Sequence, residues 1–212
     1  MDEKTPGIIL RTRLLTETSL IVHWLTPHLG RIATVARGAR RPKSPFRGKL
    51  DLFHLGDLSF HRSRRGELHT LREVSIHETH RALREDLHLL QQATYCSRLI
   101  EQITEMDTPL VGVFELLLDV LRFLPGHPPG PLTIFAIEAK LLTTTGLQPD
   151  PARTQLQSGT RELLQQLLTA DWDLVGHLKA SASQTAELRQ FLHGFLIYHL
   201  GHLPAGRAAA LG

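Results

Sequence analysis

Near residue 81 the hydrophobic repeat of this 212-residue chain changes period, which limits it to folds in which strands precede helices. Before the change, five segments rich in β-branched and apolar residues occur at 7–13 (GIILRTR), 19–26 (SLIVHWLT), 31–37 (RIATVAR), 52–60 (LFHLGDLSF) and 67–77 (ELHTLREVSIH). Turn-forming residues separate several of them: Pro27 to Gly30, the Gly- and Pro-rich stretch 38–48, and Arg64 to Gly66. Leu20, Val22 and Trp24 share one parity of the second segment. Leu68, Val74 and Ile76 share one parity of the fifth, with Arg72 as an exception. Five short strands in about 75 residues predict a small closed barrel, because closure removes the edges that a flat sheet exposes.

After the change the apolar residues follow a helix. Leu89, Ala93, Cys96, Ile100 and Ile103 recur at steps of four, three, four and three. Phe114, Leu117, Leu118, Leu121 and Leu124 form a second stripe, ended by PGHPPGP at 125–131. A third helix is predicted from Leu132 to Thr145 with Gly146 as its stop, and a fourth after Ser158 as N-cap. The last aligns Leu188, Phe191, Phe195 and Tyr198 before Gly201. The expected fold class is α+β: a β-barrel domain over 1–80, then an all-α helical domain over 81–212.

Charge is divided the same way. The net charge is only +3, yet residues 1–80 carry 14 basic and 8 acidic side chains and residues 81–212 carry 10 and 13. A basic half beside an acidic one predicts a polyanionic partner for the barrel. Seven of the nineteen residues in 31–49 are cations, with no acid among them: Arg31, Arg37, Arg40, Arg41, Lys43, Arg47 and Lys49. Arg62, Arg64 and Arg65 form a second cluster before the fifth strand. Cations on a loop follow a phosphate backbone by displacing its condensed counterions, and arginine adds a planar fork of donors. These ten residues are the candidate nucleic-acid contacts, a continuous groove if the barrel brings both clusters to one side. The few aromatics argue for weak base readout. Trp24, Phe53 and Phe60 fall in predicted strands and suit the core, whereas Phe46 lies inside the basic loop. It can stack on a base or anchor the loop, and the sequence leaves both readings open.

No enzyme motif emerges. His77-Glu-Thr-His80 is one residue short of HExxH, and His199 with His202 lacks further ligands. GARRPKS has no Gly-Lys-Ser/Thr, and no GxSxG is present. Neither a catalytic residue, nor a metal, nor a cofactor is therefore expected. The single cysteine, Cys96, excludes an internal disulfide, and the start MDEKTPGIIL resembles no signal or transit peptide. With 42% hydrophobic and 21% charged residues and no run of 18 apolar positions, a globular cytoplasmic protein without a membrane span is expected.

ILRTRLLTETSLIVHWLTPHLGRIATVARGARRPKS at 9–44 and the later GELHTLREV resemble the N-terminal domain of the bacterial RecO family of recombination mediators. RALREDL at 81–87, FELLL at 114–118, KLLTTTGLQPD at 140–150 and IYHLGHLP at 197–204 are similar to its helical domain. The resemblance implies an OB-fold barrel, binding of single- and double-stranded DNA, annealing of complementary strands, and action with RecR. It also implies help to RecA in replacing single-stranded-DNA-binding protein, whose acidic, apolar C-terminal tail would dock on the helical domain. Arg37, Arg40, Arg41, Lys43 and Arg47 match the family's basic loop, and a cytoplasmic, nucleoid-associated protein would follow. One departure stands out: many members follow GLQP with a four-cysteine zinc module, and here GLQPDPARTQLQSGTRELL has no cysteine. Without the module, the 147–160 connection is expected to be held by packing alone. Two other classes are compatible with the residues alone: an adaptor working through its helical bundle, with the barrel's charge serving RNA, and a nuclease, whose acidic ligands the 31–49 stretch does not supply.

Overall fold

Strand β1 (Asp2–Leu14) is long enough to serve two neighbours, and this closes the sheet. In the computed structural model, which describes residues 2–212, Asp2–Ile8 pairs antiparallel with β4 (Leu55–His61) and Ile8–Leu14 with β2 (Leu20–Thr26). A register shift between Ile9 and Arg11 bends the strand between its two partners. β2 continues antiparallel to β3 (Gly30–Ala36), and a short parallel pairing of β3 with β5 (Leu68–Glu78) completes the order β1-β2-β3-β5-β4. This is a closed five-stranded barrel of OB type.

Its interior is filled by Ile9, Val22, Trp24, Ile32, Leu58, Phe60, Leu71 and Val74, all nearly or fully buried. The Trp24 indole N–H is satisfied there by Thr34 Oγ1 at 2.9 Å. Gly7 and Gly56 face each other across β1 and β4. A Cβ at Gly56 would lie 2.3 Å from the Ser75 carbonyl oxygen on β5, so only glycine lets β4 and β5 approach so closely there. The Arg72 exception also has a cause. Leu71 pairs with Phe60 and Glu73 with Ser59, so Arg72 is the extra residue of a bulge. The bulge flips the parity: His69 and Leu71 point inward before it and Val74 after it, while Leu68 is exposed. Phe53 is buried as expected, but in a left-handed turn (φ 64°) ahead of β4 rather than within it.

The barrel unit runs to Arg81 and takes in Thr104–Glu115; the second unit comprises Ala82–Ile103 and Leu116–Gly212. Residues 104–112 act as a strap on the barrel. The Asp107 N–H donates to Arg31 O at 2.8 Å, and Thr108 passes so close to Gly30 that any Cβ there would meet its carbonyl at 2.2 Å.

The second unit is helical: α1 (Leu87–Ile103), α2 (Val113–Phe123, whose first three residues belong to the barrel unit), α3 (Pro131–Thr144), α4 (Ser158–Thr169), α5 (Trp172–His177), α6 (Ala182–Leu200) and α7 (Arg207–Leu211). Helix α3 is its centre, with Ile134, Phe135, Ile137, Leu141 and Leu142 fully buried. Glu138 is also fully buried, and its carboxylate accepts from Tyr95 Oη at 2.5 Å, Arg207 Nε at 2.6 Å and Arg207 Nη2 at 2.8 Å. Burial first, then the adjacent Glu138 charge, pushes the Tyr95 hydroxyl well above its ordinary pKa. This pair ties α7 to α3, and Gln92 helps by donating to Ala210 O at 3.0 Å.

Three expectations are corrected here. Gln157, not Ser158, caps α4, and Ser158 is its first helical residue. In α6 the buried stripe is Leu188, Leu192 and Leu196, whereas Tyr198 is 84% exposed. The aromatics there sit beside the leucines, because a helix apolar on several sides can bury only the face its neighbours cover. The 147–160 connection is held by more than packing. Glu187 accepts from Gln157 N at 2.9 Å and from the Thr160 hydroxyl, and Gln184 donates to Gly159 O at 3.1 Å. These bonds from α6 hold residues 157–160, and residues 147–160 include no Cys or His. Among the described residues no group of three metal-ligating side chains is present, and no helix is long and apolar enough to cross a membrane.

Candidate nucleic-acid interface

The stretch after β3 is a ladder of tight turns rather than a slack loop. The amides of Ala39, Arg41, Ser44, Arg47 and Lys49 each bond the carbonyl three residues back, at 3.0–3.4 Å. Phe46 holds the ladder down: it is 6% exposed and packs with the barrel core, so the anchoring alternative is the one the structure adopts. The small accessible part of the ring lines a cavity within the ladder. The near end is tied to the β1–β2 turn, where Arg40 N donates to Thr18 O at 3.0 Å and Arg40 Nη1 to Glu17 O at 2.9 Å. At the far end Lys49 Nζ donates to Val74 O at 2.9 Å, and the His54 ring bonds Lys49 O at 3.1 Å.

These bonds sort the ten candidates. Arg37, Arg41, Lys43 and Arg47 are exposed and without an ion-pair partner among the described residues. Arg64 and Arg65 are likewise exposed on the β4–β5 turn. Arg40 is exposed but positioned by the Glu17 carbonyl. Three are committed elsewhere. Arg31 donates to the Thr104 carbonyl, Lys49 to Val74, and Arg62 pairs with Glu3 (2.5 and 3.0 Å) and Asp107 (3.1 Å). The Arg62 bonds hold the Glu3 carboxyl below the usual range. A cation so neutralised has little field left for a phosphate.

The two clusters are not neighbours. The 37–49 ladder leaves the Ala36 end of β3. Arg62 is held at the other end, through Asp107 and the amide bond from Asp107 to Arg31. Seven strand residues separate those ends by roughly 20 Å at about 3.3 Å per residue. A track serving both must run along the strand.

Sequence reasoning missed one contributor. Arg13 on β1 pairs with Ile21, and Ile21 with Val35, so the three form a row on the outer face of the barrel. Arg13 is exposed and Ile21 and Val35 are half-buried. Beside this row a cavity of about 440 Å³ is bounded by Leu15, Thr18, Val35, Arg37 and Arg41. Strand alternation alone would put Arg13 on the side of Ile9; the bulge between Ile9 and Arg11 turns it outward, so the sequence carried no signal for it. His23, on the same face, adds no charge. Burial first, then Arg11, Arg13 and Arg31, depresses its pKa to about 4, so it is neutral at pH 7.

The arrangement is a fixed cationic surface with aliphatic side chains between the charges. The family model described as "Recombination protein O N terminal" matches residues 1–80, and that described as "Recombination protein O C terminal" matches residues 84–153 and 149–207. Similar relatives include the DNA repair protein RecO of Bacillus pumilus (strain SAFR-032), 35% identical over 147 residues. That match spans 69% of this chain and 57% of the relative, less than two thirds of its length. The DNA repair protein RecO of Bacillus subtilis (strain 168) is 29% identical over 225 residues, covering 91% and 87%. That of Rhodopirellula baltica is 29% identical over 200 residues, covering 84% and 74%.

Proposed function

This chain belongs to the RecO family, and from that premise we propose a non-enzymatic mediator of DNA repair and recombination that binds single- and double-stranded DNA and anneals complementary strands. The carrying observation is the anchored turn ladder with its four exposed cations, Arg37, Arg41, Lys43 and Arg47, without an ion-pair partner among the described residues. Neutralising phosphates on two strands lowers their mutual repulsion, so the strands stay close while base pairs nucleate. Because the ladder is ordered before DNA arrives, little conformational entropy is lost on binding. Contact through phosphates predicts little sequence preference.

With RecR, the protein would help RecA replace single-stranded-DNA-binding protein in the bacterial cytoplasm, at the nucleoid. The helical unit offers a place for that protein's acidic, apolar tail. A groove of about 860 Å³ runs between α6 and the segment entering α7. Ala182, Ala186, Leu203 and Leu211 give it apolar walls, and Arg189 and His193 also line it. A carboxylate-bearing apolar peptide matches that combination. A pull-down with single-stranded-DNA-binding protein, with and without its last residues, tests the docking. Capture that depends on the tail and is lost in Arg189→Glu supports it; capture indifferent to both refutes it. Fluorescence titration of oligonucleotides against salt tests the DNA contact, where a flat response is the refuting result.

A further inference from the structure

The turn ladder encloses something that phosphate neutralisation alone does not require. A cavity of about 620 Å³ opens within it, inside the range of about 300–1,000 Å³ usual for small-ligand sites. Its walls differ in character. Leu20 from β2, Leu50 and the accessible part of Phe46 give it apolar surface continuous with the barrel core. Arg40, Arg41 and Arg47 also line it, the first fixed by the Glu17 carbonyl. Asp51 is its one acid. An apolar surface beside three guanidinium groups suits a ligand with a flat hydrophobic part and an anionic part a few ångströms away, which describes a nucleotide. The acid adds polarity of the opposite sense, since a carboxylate accepts from the exocyclic amine of a base and repels a phosphate.

We propose that this cavity receives one unstacked nucleotide of single-stranded DNA, its base against Leu20, Phe46 and Leu50 and its phosphate among Arg40, Arg41 and Arg47. The inference rests on the DNA-binding reading above and adds a base contact to it. A base in a duplex is stacked and paired and reaches the cavity only if flipped out, so the site favours single strands. It also gives an annealing protein a useful property: one base held out of the stack interrupts secondary structure in the strand while its neighbours stay free to pair. Phe46 would then both anchor the ladder and form part of the base's seat.

The test uses the whole chain unaltered. Fluorescence anisotropy compares a single-stranded oligonucleotide with an abasic sugar–phosphate strand of the same length at the same salt. The abasic strand should bind about tenfold more weakly, the scale of one base contact, with the same salt slope. A photoreactive thymine analogue in the normal strand should crosslink within residues 39–51, as mapped by mass spectrometry. Equal affinity for the two strands, or crosslinks confined to other residues, overturns the pocket and leaves DNA binding intact. Absent or salt-insensitive binding of both strands overturns the DNA reading itself, and the pocket with it.

Discussion

Removing four charges, by Arg37→Ala, Arg41→Ala, Lys43→Ala and Arg47→Ala together, separates a working phosphate surface from ordinary solvated cations. All four are exposed and none has an ion-pair partner among the described residues, so the fold should tolerate their loss. Each surface change is expected within about 0.5 kcal/mol of neutral. Binding should respond strongly. If each cation neutralises one phosphate of a single strand, log K against log salt has a slope of about −0.7 per contact, so four contribute about −2.8. Between 50 and 200 mM salt the unaltered protein should then lose roughly fifty-fold more affinity than the quadruple variant. The assay is anisotropy of a labelled oligonucleotide at several salt concentrations, with urea denaturation of both proteins as control. Removing Arg31, Lys49 and Arg62 instead should change the slope little and stability more, because these cations hold Thr104, Val74, Glu3 and Asp107. A quadruple variant with an unchanged salt slope would refute the argument, since exposure would then have failed to identify the contacting charges.

Gly56→Ala should destabilise the barrel by about 1–3 kcal/mol in urea denaturation, because its methyl would meet the Ser75 carbonyl. Gly66→Ala, which enters open space, should leave stability unchanged. In the helical unit, Arg207→Met alone should cost about 3–5 kcal/mol by leaving the Glu138 carboxylate buried and unpaired, whereas Glu138→Gln with Arg207→Met should cost less. Equal losses for the single and double variants would contradict that account. His23 makes stability depend on pH. Its folded pKa of about 4 lies below its ordinary 6.5, so the unfolded chain takes up the proton first. The His23 contribution is complete above about pH 6.5 and lost as pH falls toward about 4. As pH falls across that window, the melting temperature of the unaltered protein should drop more steeply than that of His23→Gln, and parallel curves would exclude the residue as a cause.

Much of this molecule is legible along the chain because strand and helix periods are local properties. The strands at 19–26 and 31–37, the helix before Gly146 and the buried face of Leu89, Ala93, Cys96 and Ile100 all follow from residues a few positions apart. The concentration of cations in 31–49 is likewise plain in one dimension. Pairing is where that reading stops. Arg72 breaks the parity of β5 in sequence, but only the register with β4 shows that the break is a bulge reversing inside and outside. Residues 104–112 return to the barrel from between two helices because Arg31 and Gly30 receive them.

For the candidate interface the division is similar. Composition alone determined that positive charge would gather after β3 and that a polyanion is its natural partner. Which cations are available was decided by contacts across the fold. Arg62 lies 59 positions from Glu3 and 45 from Asp107, yet the barrel brings all three together and neutralises it. Arg37 and Arg41 remain available because neither forms an ion pair among the described residues. Phe46 went the same way. In sequence it is one aromatic in a basic stretch, and in the folded protein the apolar end of a closed barrel gave its ring a place in the core. Charge density is fixed residue by residue, but the field at a surface depends on which charges have been cancelled, and only the tertiary structure sets that.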